Sequence, residues 1–165
     1  MKLYRIILVD DEEEIRKSII RKIKWEENGF LVAGDAENGE DALEKIELLE
    51  PDLILTDIRM PYMDGLTLAE RVRQKYPSMK IVIFSGYDDF EYAKQAIKLN
   101  VTEYILKPVN VEELTAILQK IKANLDQEIE QKRNVNLLRE NYIKSLPILR
   151  EQFLNELVSY PMPET

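Results

Sequence analysis

Five groups able to do chemistry stand at the ends of apolar runs. Asp10 and Asp11 follow Ile6-Ile7-Leu8-Val9, and Asp57 follows Leu53-Ile54-Leu55 after one threonine. Ser85 follows Ile81-Val82-Ile83-Phe84, and Lys107 follows Tyr104-Ile105-Leu106. Each has an ordinary explanation by itself, since Asp caps turns and Ser and Lys are common surface groups. Together they are three acids, a hydroxyl and an ammonium at matching places in a repeated pattern. Three carboxylates brought close repel one another unless a cation neutralises them. The chain has no His and no Cys, so that cation must be held by oxygen. Magnesium suits such a place, because it binds few carboxylates, keeps several waters and accepts a phosphate oxygen. A divalent ion and the Lys107 ammonium together prepare a site for a phosphoryl group. Ser85 can donate a hydrogen bond to it. Asp57 then remains as the nucleophile, forming an aspartyl phosphate.

The missing residue types exclude several other chemistries. Without His there is no Ser-His or Cys-His nucleophilic pair and no His-ligated zinc; without Cys there is no disulfide frame or thiolate metal site. A formal charge of −8 argues against this chain gripping nucleic acid by itself. No apolar run is long enough to span a membrane and no charged-then-apolar leader opens the chain, so a soluble, cytoplasmic protein is expected. A chain of 165 residues can bury a proper core as one domain with an appendage.

The elements that must position these groups are legible as periodicities. Tyr4 to Val9 reads as a buried strand, and the acids Glu12 to Glu14 suit the start of a helix, where they complement its dipole. Ile15, Ile19 and Ile23 continue that helix at helical spacing, with Asn28-Gly29 as its stop. Phe30 to Ala33 is a second strand, with Gly34 to Ala36 leading out, and a helix follows through Ala42, Ile46 and Leu49 to Pro51. Leu53 to Leu55 is the third strand; Asp64 caps the next helix, which ends near Tyr76-Pro77. Ile81 to Phe84 is the fourth strand, Asp88-Asp89 opens a helix to Asn100, and Tyr104 to Leu106 is the fifth strand. Asn110-Val111-Glu112-Glu113 is a capping box for a fifth helix. Alternating strands and helices predict a doubly wound α/β fold with a parallel sheet and helices on both faces. In open sheets of this kind, ligands sit beyond the carboxyl ends of the strands. Strand two offers only Gly34 and Asp35 there, the weakest contribution of the five.

At this point the sequence resembles a known family. Asp10-Asp11, Asp57 with Met60-Pro61 and Met63-Asp64-Gly65, Ser85-Gly86, Tyr104 and Lys107-Pro108 resemble the receiver domain of two-component response regulators. The resemblance covers roughly residues 3–125 and implies a flavodoxin-like (βα)5 fold with strand order 2-1-3-4-5. It implies that Asp57 is the phosphoacceptor. Asp11 and Asp57 would bind Mg2+ directly, with Asp10 helping and the Arg59 backbone carbonyl completing the set. Ser85 would be the switch hydroxyl, Tyr104 the switch aromatic, and Lys107 the contact to the phosphoryl group. The peptide before the matching proline is usually cis, which implies a cis Lys107-Pro108 bond. With no His in the chain, the phosphoryl group must come from another protein, a histidine kinase, or from a small phosphodonor. Such a domain is a signalling switch that catalyses only its own phosphorylation and dephosphorylation. Tyr87 and Arg59 flank the site, and bulky Tyr87 is expected to slow hydrolysis. The stretch Phe84-Ser85-Gly86-Tyr87-Asp88-Asp89-Phe90-Glu91-Tyr92-Ala93 looks like receivers attached to AraC-type DNA-binding domains, the YesN-like regulators.

Three other functions are weighed by the same residues. A magnesium-dependent aspartyl-phosphate phosphatase also uses an Asp after a strand, but wants a second Asp two residues on, where Arg59 stands. A phosphorylation-silent dimerisation module would not need the acid set. A nucleotide-binding domain would carry a Gly-rich loop where Asp10-Asp11 stands.

The domain organisation expected is a receiver over residues 1–125, then an extended helix and linker over 126–165. Val111, Leu114, Leu118, Ile121 and Leu125 alternate three and four apart, which is heptad spacing. Ile129 comes four later, a slip of register, and Val135, Leu138 and Tyr142 continue the stripe. The stretch past Leu125 has no sheet to cover, so pairing with a second chain through this helix region is expected. Ser145-Leu146-Pro147 is expected to break the helix, and a further apolar stretch through Phe153, Leu154, Leu157 and Val158 to lead toward a missing effector domain. DNA would be bound only there.

Overall fold

Each apolar run is a strand, and all five strands lie parallel in one sheet. The computed structural model describes the backbone of residues 2–86 and 90–159 and, within these, the side chains of residues 2–86 and 94–143. The strands are β1 (Tyr4–Val9), β2 (Phe30–Ala36), β3 (Leu53–Asp57), β4 (Lys80–Ser85) and β5 (Glu103–Leu106). Their order is β2-β1-β3-β4-β5, as the flavodoxin-like reading implies. The helices are α1 (Glu13–Lys22), α2 (Gly39–Leu49), α3 (Gly65–Lys75), α4 (Phe90–Lys98) and α5 (Val111–Ser159). The chain divides into two units, Met1–Lys122 and Ala123–Thr165.

Period-two alternation divides the core of the first unit. Ile7 and Val9 of β1 join Ile54, Ile81 and Ile83 in one cluster with Ala42, Ile46, Leu66, Leu68, Ala69, Val72 and Ala96 of α2, α3 and α4. The alternate residues Ile6, Leu8, Leu55, Val82 and Phe84 are equally buried and face the other way. Buried residues of α1 and α5, namely Ile19, Leu114, Leu118 and Ile121, belong to that opposite side. Strands covered on both faces must be apolar throughout, which is why they read as continuous runs.

Register sets the carboxyl ends level. Val9 pairs with Thr56, Asp57 with Phe84, and Ser85 with Leu106. The residues just past these pairs therefore gather along one edge.

Local chemistry fixes where most helices start. The Asn38 side chain accepts from the Asp41 N–H and caps α2; Asp64 accepts from Thr67 and caps α3. Asn110 Oδ1 accepts from the N–H groups of Glu112 and Glu113, at 2.8 and 3.1 Å, and opens α5. Asp88 and Asp89, expected to open α4, lie outside the described residues.

Two helix ends differ from expectation. α1 stops at Lys22, and Ile23 is already extended, with φ −95° and ψ 137°. Ile23 and Trp25 are both buried, and the Trp25 indole donates to the Ile20 carbonyl at 3.0 Å. Burying those side chains outweighs another helical turn. Gly29 is a stop for the short 3-10 turn Glu26–Asn28 instead, at φ 87°. At the other end of the chain, α5 continues through Pro147 to Ser159. A proline costs one backbone hydrogen bond and a clash with the preceding turn, yet helix can continue on either side. No helix among the described residues is long and apolar enough to cross a membrane.

Candidate functional site

Strand ends carry the site. Asp10 extends β1 by one residue: its N–H donates to the Ala36 carbonyl at 3.0 Å, and its carboxylate is fully buried. Oδ1 of Asp10 accepts from the Glu12 N–H at 2.9 Å. Asp57 is the last residue of β3 and only 6% exposed. Its Oδ1 accepts from the Ile58 N–H at 2.8 Å, and the Ile58 N–H also lies 3.1 Å from the Phe84 carbonyl. Lys107 follows β5, with its N–H 2.7 Å from the Ser85 carbonyl, and enters a cis peptide to Pro108. The Lys107 ammonium reaches 3.2 Å from Asp10 Oδ2 and 3.1 Å from Asp57 Oδ2. Three groups far apart in sequence thus meet through one cation.

Electrostatics follow from burial. Desolvation raises the Asp10 carboxyl above its ordinary value, against the lowering effects of the Glu12 N–H and Lys107. Desolvation, then the charge on Asp10, raises Asp57, with Lys107 opposing. Burial also works against the charge on Lys107, but Asp57 and Asp10 together outweigh it and its value rises. One ammonium does not balance the acids, and both carboxyls remain strained toward protonation.

The donor set fits a hard divalent cation. Carboxylate oxygens of Asp10, Asp11 and Glu12 lie within 4.8 Å of one another. Asp57 is not in that group and meets Asp10 across the Lys107 ammonium instead, and this oxygen-rich strand edge suits a magnesium ion. Glu12 was not expected in this group. It read only as a helix-start acid, and a run of acids after a strand gives no sign of which exposed carboxylates come close to the buried one. Arg59 stands two residues after Asp57 with its side chain exposed.

Ser85 is fully buried; its Oγ contacts the Gly86 carbonyl and shares a hydrogen bond with the Tyr104 hydroxyl. The Tyr104 ring is half-buried against the core. Tyr87 lies outside the described residues.

The loop after β3 is held tightly under the site. Thr56 Oγ1 donates to the Asp57 carbonyl at 2.9 Å, and the Gly65 N–H to the Ile58 carbonyl at 2.7 Å. A Cβ on Gly65 would stand 2.1 Å from the Asp57 carbonyl oxygen, so only glycine allows this approach. Met60 and Met63 tuck inward while Tyr62 points out, 93% exposed.

Residues 6–119 match the response regulator receiver domain family. The chain is 38% identical over 159 residues to the transcriptional regulatory protein YesN of Bacillus subtilis strain 168, covering 95% of this chain and 43% of that protein. It is 31% identical over 160 residues to the transcriptional regulatory protein HptR of Staphylococcus aureus strain NCTC 8325, covering 94% and 62%. The chain thus spans about half the length of these relatives. Among solved structures it is similar to the REC domain of AraT, a response regulator from Geobacillus stearothermophilus. There the TM-score is 0.73 at 40% identity, over 76% of this chain and 98% of that one. It is also similar to a two component transcriptional regulator AraC from Clostridium phytofermentans, with TM-score 0.70 at 35% identity over 76% and 98%.

Proposed function

The chain belongs to the response regulator receiver domain family, and from that premise we propose that it is the phosphate-accepting switch of a transcriptional regulator, with Asp57 as phosphoacceptor. The observation that carries this reading is the Lys107 ammonium bound to both Asp10 and Asp57 at the carboxyl edge of the sheet.

One Asp57 carboxylate oxygen attacks phosphorus, forming an O–P bond as the donor's N–P or O–P bond breaks. The leaving group departs with its electron pair. A phosphohistidine donor lies outside these 165 residues, which hold no His, and a histidine kinase is the donor this reading calls for. Asp10, Asp11 and Asp57, with the Arg59 carbonyl, would hold Mg2+. When bound it supplies positive charge to the phosphoryl oxygens and relieves repulsion among the acids. Lys107 exchanges its ion pair with Asp57 for one with the phosphoryl group. Ser85 turns its hydroxyl from Tyr104 toward a phosphoryl oxygen, which frees the Tyr104 ring to move inward. The domain is a switch, and its chemistry is confined to gaining and losing its own phosphate. It works in the cytoplasm, pairs with a second copy through the α5 region, and reaches DNA only through an effector domain beyond this chain.

The test is to treat the chain with Mg2+ and acetyl phosphate, or a beryllofluoride mimic, and read the intact mass and modified residue. An adduct on Asp57, absent in Asp57→Ala, is expected. Turnover of phosphate esters would point to a phosphatase, and no adduct under any condition to a silent module.

A further inference from the structure

The second strand contributes to the site from one step behind it. Asp35, near the end of β2, accepts from Arg16 Nε at 2.9 Å. The same guanidinium donates from Nη1 to the backbone carbonyl of Asp10. Arg16 lies on α1 and its side chain is only 11% exposed. Lys45 of α2 donates to the Asp35 backbone carbonyl and lies 3.1 Å from Asp41. A half-buried cation thus stands between a strand end and the turn that carries the acids.

The bond to the Asp10 carbonyl has a specific consequence. That carbonyl belongs to the peptide joining Asp10 to Asp11, so its direction sets the plane from which the Asp11 carboxylate departs. The Asp10 N–H is fixed by Ala36 and its side chain by Glu12 and Lys107. Arg16 fixes the remaining polar group of the residue. A buried carbonyl without its donor would turn toward another.

We propose that Arg16, oriented by Asp35, is a positioning residue that holds the Asp10–Asp11 peptide so that both carboxylates present to one cation. The proposal rests on the Mg2+ reading of the site given above. Arg16 touches neither ion nor phosphate and acts through the backbone. Its planar fork matters because it serves two acceptors in fixed directions, which a lysine cannot copy. Partners that orient ligands in this way typically carry about 10–100-fold in metal affinity.

Mg2+ affinity, read by calorimetric titration of the whole chain, tests this without any turnover assay. Arg16→Ala should weaken Mg2+ binding by about tenfold. Arg16→Lys should fall between it and the parent. Arg73→Ala is the control for a purely structural loss. Arg73 donates to the carbonyls of Pro77, Met79 and Asn100, at the opposite end of the sheet. It should lower the melting temperature in chelator yet leave Mg2+ affinity at the parental value. Mg2+ binding by Arg16→Ala within about twofold of the parent would overturn the proposal. So would equal losses of affinity in Arg16→Ala and Arg73→Ala. Should Arg16→Ala fail to fold, Arg16→Lys decides: parental affinity there overturns the proposal, and weaker binding at an unchanged melting temperature supports it. If the parent itself binds no Mg2+, the reading of the site fails first.

Discussion

In the cluster of Asp10, Asp57 and Lys107 the two carboxylate charges oppose folding and the ammonium partly offsets them. Both carboxyls are raised above their ordinary value of 3.8, first by burial and for Asp57 also by Asp10. A carboxyl whose folded value exceeds its unfolded one costs stability when ionised. That cost is absent well below 3.8, grows as pH climbs from there toward the raised folded value, and stays constant above it. Lys107 behaves oppositely, because its raised value contributes stability below 10.5 that is lost as pH rises beyond it. Asp57→Asn keeps an acceptor for the Ile58 N–H and removes one ionised group. In chelator at pH 7 its melting temperature should exceed the parent's by about 2–4 °C, roughly 1 kcal/mol for a chain of this size. The gap should close as pH falls toward 3.8. Adding Mg2+ should reverse the order if, as proposed, Asp57 is one of the ligands that hold the ion. Calorimetric melts across pH check all three, and a parent more stable than Asp57→Asn in chelator would contradict the electrostatic account. The main groups were legible because each ends an apolar run, so parallel strands had to bring them together. Glu12 and Arg16 were not, and Asp35 read only as the weakest of the five strand ends. Glu12 looks like any helix-start acid, and Arg16 meets a backbone carbonyl of Asp10, a contact that no residue type announces.

Elements place these groups to within a hydrogen bond, and the β3–α3 loop is the tightest case. Gly65 stands where a Cβ would lie 2.1 Å from the Asp57 carbonyl oxygen and 2.9 Å from Ile58 Cα, both backbone atoms that cannot step aside. Gly34 differs, because its Cβ would meet Leu49 Cδ1 at 3.0 Å, the end of a flexible side chain. Gly65→Ala should therefore destabilise by about 2–3 kcal/mol and Gly34→Ala by less than about 1 kcal/mol. Urea melts with unchanged slopes would show it. Equal effects would mean the loop can relax away from Asp57. Helix starts were readable from Asp64 and Asn110, whose side chains cap by local chemistry alone, and Asn38 caps α2 in the same way although its role was not read beforehand. The end of α1 was not, because burial of Ile23 and Trp25 decides it and burial is a tertiary event. Pro147 misled for a related reason: it weakens one turn, but the residues on either side still favour helix.

At the scale of the whole molecule, the later turns of α5 present apolar side chains to solvent. From Asp126 to Ile143 every residue except Glu128 is exposed. Ile129, Val135, Leu138 and Ile143 are 44%, 48%, 68% and 63% accessible. A lone helix of such composition is marginal in water, and a second copy of the same helix is the simplest cover. Val135 and Leu138 lie three apart, as the a and d positions of one heptad would. Burying a Val or Leu side chain contributes about 1.5–3 kcal/mol, so two from each chain contribute about 6–12 kcal/mol. Association costs about 4–15 kcal/mol. These magnitudes nearly cancel, so a dimer paired this way should be weak and concentration-dependent. Light scattering after size exclusion should show mass rising with loading, and beryllofluoride with Mg2+ measures any further shift. Leu138→Lys, which puts a charge into the seam, should leave only monomer. Leu31→Lys is the control: Leu31 is also exposed, at 41%, but sits on β2. It should associate like the parent. A parent that stays strictly monomeric at high concentration, with and without the phosphate mimic, would remove pairing through α5 from the account and leave the stripe to an effector domain.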